Sequence, residues 1–149
     1  MTTWLFAALH LLALGIGLGA VWGRFRALRA PLSPDAIRRA LYADNWWGIA
    51  ALVWVSTGLM RAFGGLEKGS AYYLHNPIFH FKMGLLLLIL LLELWPMLTL
   101  VKWRIRLARS GEIDTRHARA FARISLLQAH LVGLMVLAAT AMARGYGAA

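Results

Sequence analysis

Apolar residues fall into four long blocks, roughly 3–22, 46–63, 78–101 and 120–143. Each has about 18–24 residues, the length needed to cross ~30 Å of hydrocarbon at ~1.5 Å per residue. No block alternates apolar and polar positions as a barrel strand would. Backbone groups in lipid must be satisfied within the segment, so each block predicts a helix. The pattern predicts an all-α fold: one integral membrane four-helix bundle occupying residues 1–149, with no soluble domain attached.

Composition agrees with this reading. The chain is 60% hydrophobic and 15% charged, and its mean hydropathy is +0.63. A soluble domain of this size carries more charge. No Lys or Arg precedes the first block, and Arg24, Arg26 and Arg29 follow it in place of a small-residue cleavage site. It is therefore expected to remain as an anchor.

The net charge of +10 would suggest nucleic acid in a soluble chain, but its distribution points to topology. Arg24, Arg26, Arg29, Arg38 and Arg39 lie between blocks one and two. Lys102, Arg104, Arg106, Arg109, Arg116, Arg119 and Arg123 lie between or beside blocks three and four. The loop between blocks two and three has only Arg61 and Lys68. Under the positive-inside rule both basic loops are cytoplasmic, and both termini and the 64–77 loop lie outside. The expected setting is the bacterial inner membrane, with lipid rather than nucleic acid as the partner of the basic loops. Cysteine is absent, which excludes disulfides, thiolate metal sites, iron–sulfur clusters and covalently attached haem.

Local signals refine the blocks. Ser33, Pro34 and Asp35 read as a helix start, with Asp35 and Arg39 spaced for an ion pair. That helix is expected to lie on the cytoplasmic surface and turn into the second span near Trp46–Trp47. Pro77 suits a first helical turn, and Pro96 predicts a kink in span three. Gly15, Gly19 and Gly23 share one face of span one, which could pack a helix, while His10 shares another with Leu14, Gly17 and Val21.

Ionisable groups in a span cost free energy, so they usually face inward and pair. His10, His80 and Lys82 fall in the outer half of the expected bundle. Glu93 and His130 share a depth nearer the cytoplasmic side and could pair. Lys82, Ile89, Glu93 and Pro96 form one stripe, with His80 about 200° around the helix from Lys82. At most one of His80 and Lys82 is therefore expected to face His10. Asp44 is expected to pair with arginines near the inner interface.

Imidazoles on adjacent helices can hold a b-type haem. In that reading His10 is an axial metal ligand, and His80 or Lys82 is the second ligand. Lys82 is the alternative acid–base, catalytic group, while Arg61, Lys68, Tyr72 and Tyr73 meet the propionates. A quinone or another membrane electron carrier would be the redox partner, and homo-oligomerisation is left open. Two other classes compete. One is a transporter or proton relay using Lys82, Glu93 and His130. The other is a structural or assembly subunit of a membrane complex.

The stretch YADNWWGIAALVWVSTGLMRAFGGLEKGSAYYLHNPIFHFKMGL, continued by WPMLTLVKWR, resembles a bacterial family of small four-helix predicted membrane proteins of unknown function. At Met97 the family pattern is expected to carry Thr. A more distant similarity links ALHLLALGIGLGAVWGRFRAL, TGLMR and FHFKMGLLLLILL to the HemJ-type protoporphyrinogen oxidases. That resemblance implies a haem-associated bundle in which His10 and Lys82 match functional positions. The Asn-Glu-x-Pro motif of those proteins is replaced here by SLLQAH. The first similarity implies four inner-membrane helices and names no activity; the more distant one implies a shared architecture and a tetrapyrrole site. The function expected from residues and resemblance together is haem b binding in redox or porphyrin metabolism.

Overall fold

The computed structural model describes residues 2–65 and 70–147. Their order is α1 (Thr2–Arg29), α2 (Pro34–Phe63), the short α3 (Ser70–Leu74), α4 (Pro77–Ala108) and α5 (Ala118–Ala143). Among the described residues there is no strand. Lys68, expected near the propionates, lies outside the described residues.

Among the described residues three helices are long and apolar enough to cross a membrane: Thr3–Arg29, Pro77–Ala108 and Ala118–Ala143. The expected second span is the C-terminal part of α2, where three tryptophans, Ser56, Thr57 and Arg61 interrupt the aliphatic run. The helices outrun the apolar blocks, α1 to Arg29 and α4 to Ala108. Arginine is a good helix former, so helicity does not stop where hydrophobicity does.

The expected turn near Trp46–Trp47 is not observed. Pro34–Phe63 is one continuous helix of 30 residues, because nothing between Pro34 and Gly64 breaks the hydrogen-bond ladder. Ser33 caps it by accepting from the Ala36 amide at 3.2 Å. Asp35 pairs with Arg38 rather than Arg39. Asn76 caps α4 through its side chain, accepting from the Ile78 amide at 2.9 Å, with Pro77 in the first turn.

Helix α1 packs against α2 and α5, and α4 packs against α5. One hydrophobic cluster in the middle includes Val21, Trp47, Trp54, Ile89, Val132 and Met135. A second, toward the basic end, joins Phe25, Leu28, Leu100, Trp103 and Phe121. A third, at the opposite end, joins Ala62, Tyr73, Phe79 and Met142. Tyr72 donates to the Met142 carbonyl at 3.3 Å, and Asn76 to that of Tyr146 at 3.4 Å. These bonds hold the end of α5 beside α3. Helix α1 runs antiparallel to α2, so its start lies at this end too.

The expected packing face of glycines is corrected. A Cβ at Gly15 or Gly19 would meet nothing within 4 Å, whereas one at Gly17 would lie 3.4 Å from Ala50 Cβ and 3.5 Å from the Trp47 ring. Gly17 is buried and is the close-approach glycine, on the same face as His10 and Val21. Gly23 makes a looser approach, with Ala43 Cβ 3.7 Å away.

Candidate functional site

Two polar features occupy the bundle, separated along α1 by fourteen residues, or about 21 Å at the α-helical rise. The first is centred on Arg24, which is wholly buried. A guanidinium has five N–H groups, and all five donate here. Nε donates to Ser125 Oγ at 2.9 Å. One terminal nitrogen donates to Asp44 at 2.6 Å and Glu93 Oε1 at 2.7 Å. The other donates to Glu93 Oε2 at 2.7 Å and Gln128 Oε1 at 2.8 Å.

The partners bond onward. Gln128 Nε2 donates to Glu93 Oε2 at 2.9 Å and the Ile89 carbonyl at 3.2 Å. The second oxygen of Asp44 accepts from Arg104 at 2.6 Å. Two arginines and two carboxylates thus make a neutral cluster joining α1, α2, α4 and α5. Arg24 itself has no donor left for a ligand, whereas the buried Nε of Arg104 has no acceptor among the described residues. The cluster fixes the relative height of four helices.

This arrangement corrects the reading of Arg24 as a loop charge and of Glu93 as a partner for His130. His130 lies on the exposed face of α5 and bonds within its own helix, to the Leu126 carbonyl at 2.8 Å. Gln128, two residues earlier, takes the inward position beside Glu93. The sequence held the signal for Arg24: His10, Gly17 and Arg24 recur at intervals of seven, continuing the inward face of α1. The pairing of Asp44 with arginine is as expected.

The second feature is a cavity of about 370 Å³ at the α3 end. His10, Arg61, Tyr72, Tyr73 and Lys82 all line it, among Trp54, Met135 and other apolar side chains. These groups come from α1, α2, α3 and α4, so only the packed bundle assembles them. The inward stripe expected on α4 holds: Ile89 and Pro96 are buried, and Lys82 and Glu93 are half-buried.

His80 and Lys82 part company. Lys82 lines the cavity with His10. His80 lies on the exposed side of α4, its Nε2 donating to the Leu74 carbonyl at 2.8 Å. The roughly 200° between them on one helix decides this.

The His10 ring is held tightly. Its Nδ1 lies 3.0 Å from the Trp54 carbonyl oxygen and 3.0 Å from Thr57 Oγ1. A carbonyl can only accept, so Nδ1 carries the proton. The Thr57 hydroxyl donates to the Val53 carbonyl at 2.7 Å, which leaves its oxygen to accept from His10. In the neutral form of the ring this tautomer puts the acceptor lone pair at Nε2. Gly58 makes room for the ring, since a Cβ there would stand 3.1 Å from His10 Cε1. Among the described residues, the buried indole Nε1 of Trp54 has no acceptor. No group of three or more metal-ligating side chains of the His, Cys, Asp and Glu types occurs among the described residues.

The model of a family described as "Predicted membrane protein (DUF2214)" matches residues 2–147, and the chain belongs to that family. No curated protein matches the chain significantly. No solved structure does so either.

Proposed function

We propose that this member of a membrane protein family holds a lipid-soluble cofactor in the outer cavity and acts in redox or porphyrin metabolism at the bacterial inner membrane. In this reading the C-terminal part of α2 is also a span, the second of four in chain order, and both termini lie outside, as the arginine distribution suggests. The observation that carries the proposal is the setting of His10. A histidine that gives its Nδ1 proton to a backbone carbonyl is oriented as metal-binding histidines are, with Nε2 as the ligand atom.

Haem b is the cofactor whose chemistry suits the donor set. His10 supplies the imidazole, and Gly58 leaves the ring its place. Arg61 and Lys82 offer cations for propionates, and the Trp54 indole offers an unused donor. Bound haem would supply one-electron chemistry, with a quinone or similar carrier as the exchange partner. Lys82 is the chain's acid–base group in the cavity. His80, turned away from the cavity, has no place in this assignment.

The absorption spectrum of the detergent-purified protein, before and after incubation with haem, tests the reading. A Soret band in the wild type that disappears in His10→Ala supports it. No Soret band after incubation, or an unchanged band in His10→Ala, overturns it.

A further inference from the structure

A second site lies on the outside of the bundle, near the C-terminal end of α1. Trp22, Phe25, Arg26, Arg29, Ala30 and Leu126 line an open groove of about 610 Å³. Trp22, Arg26 and Arg29 are spaced by four and three, so they share one face of the helix. All three side chains are exposed. The Trp22 and Phe25 rings meet at 5.2 Å, and the Arg29 guanidinium sits 5.7 Å from the Phe25 ring centre.

The charges in this groove are uncompensated. Arg24, one turn away, is saturated by carboxylates inside the bundle. Arg38 and Arg116 pair with neighbouring aspartates. Among the described residues neither Arg26 nor Arg29 forms an ion pair. Two unpaired guanidiniums thus stand together at the end of a membrane-capable helix, beside an exposed tryptophan that lies about 6 Å deeper than Arg26.

We propose that this groove binds one anionic phospholipid. The phosphate sits between Arg26 and Arg29, and an acyl chain descends over Trp22, Phe25 and Leu126. Polarity decides the occupant. The groove is cationic where α1 reaches headgroup level and apolar one turn below, in the order in which a lipid presents its parts. A soluble anion would use the arginines and leave the aromatic floor uncovered. The site is remote from His10 and independent of the cofactor reading.

Native mass spectrometry of the full chain, carried in mixed micelles with phosphatidylglycerol and phosphatidylcholine, tests the proposal. The wild type should retain phosphatidylglycerol over phosphatidylcholine. Arg26→Gln/Arg29→Gln should lose about tenfold or more of that preference, since each basic residue near the surface contributes on the order of 1 kcal/mol. Arg106→Gln/Arg109→Gln removes the same charge from the end of α4 and should keep the preference. Trp22→Ala should shorten retention of phosphatidylglycerol, and glycerol 1-phosphate should fail to displace it. Equal retention of the two lipids, equal loss in both double variants, retention unchanged by Trp22→Ala, or displacement by glycerol 1-phosphate would each overturn the assignment.

Discussion

Arg24 and Glu93 face each other across the bundle in a two-armed ion pair, both N–O distances 2.7 Å, although 69 residues separate them in sequence. The same guanidinium reaches Asp44 at 2.6 Å. Removing one member of a buried pair leaves the others charged and unpaired, at a cost of about 3–5 kcal/mol. Arg24→Gln should therefore lower the thermal unfolding temperature in detergent sharply, or abolish recovery of folded protein. Glu93→Gln should be milder, because an amide can still accept from Arg24. Equal stability of Arg24→Gln and wild type would contradict the clamp.

His130 provides the converse case. Its ring is exposed and, among the described residues, bonds only to the Leu126 carbonyl one turn back, at 2.8 Å. Surface substitutions remote from special features change stability by about 0.5 kcal/mol or less. His130→Ala should keep the wild-type melting temperature. A large loss would mean that Glu93 and His130 are coupled after all.

Two glycines should behave oppositely. A Cβ at Gly58 comes within 3.1 Å of His10 Cε1, whereas one at Gly19 meets nothing within 4 Å. Gly58→Ala should displace the imidazole and weaken cofactor binding. Gly19→Ala should leave binding unchanged and be neutral or slightly stabilising, since alanine favours helix by about 1 kcal/mol over glycine. Titration of the purified variants with haem, alongside thermal melts, reads both effects.

Lys82 and His80 are two residues apart and should differ as sharply. Hydrogen bonds to charged groups contribute about 1.5–3 kcal/mol. Lys82→Met should weaken binding of a carboxylate-bearing cofactor by about tenfold or more, as 1.4 kcal/mol is a factor of ten. His80→Ala should leave the affinity within about twofold, a change of less than ~0.5 kcal/mol. The same haem titration compares them.

The absence of native cysteine makes topology directly measurable. Leu74→Cys in α3 should react with a membrane-impermeant thiol reagent in intact cells. Ser110→Cys, just beyond α4, should react only after the membrane is opened. The reverse labelling would invert the proposed orientation.

Much of the fold was legible because length and hydropathy act locally. The apolar blocks mark the four long helices, and Ser33 and Pro77 mark two starts. The ends of α1 and α4 were less visible, because arginine-rich turns remain helical after the apolar run stops. The cavity was legible in part: His10, Arg61, Tyr72, Tyr73 and Lys82 were candidates from the sequence, and all line it. Trp54, Thr57 and Gly58, which hold the His10 ring, were not singled out. Their role depends on the register of α2 against α1, which no local pattern specifies.

Arg24 shows where sequence reading stops. Charge counting places it with Arg26 and Arg29 at a membrane boundary, and those two do remain exposed. Arg24 instead turns inward, because a seven-residue spacing from Gly17 puts it on the packed face. Whether an inward arginine can be tolerated depends on carboxylates from two other helices arriving at its height. Composition and periodicity therefore determined that the chain is a helical membrane protein, and which faces of its helices are apolar. Tertiary structure decided which charges are buried together, which of His80 and Lys82 joins His10, and which arginines stay exposed. Hydrophobic burial depends on each helix face separately, whereas ion pairs and hydrogen bonds need specific atoms from different helices within about 3 Å.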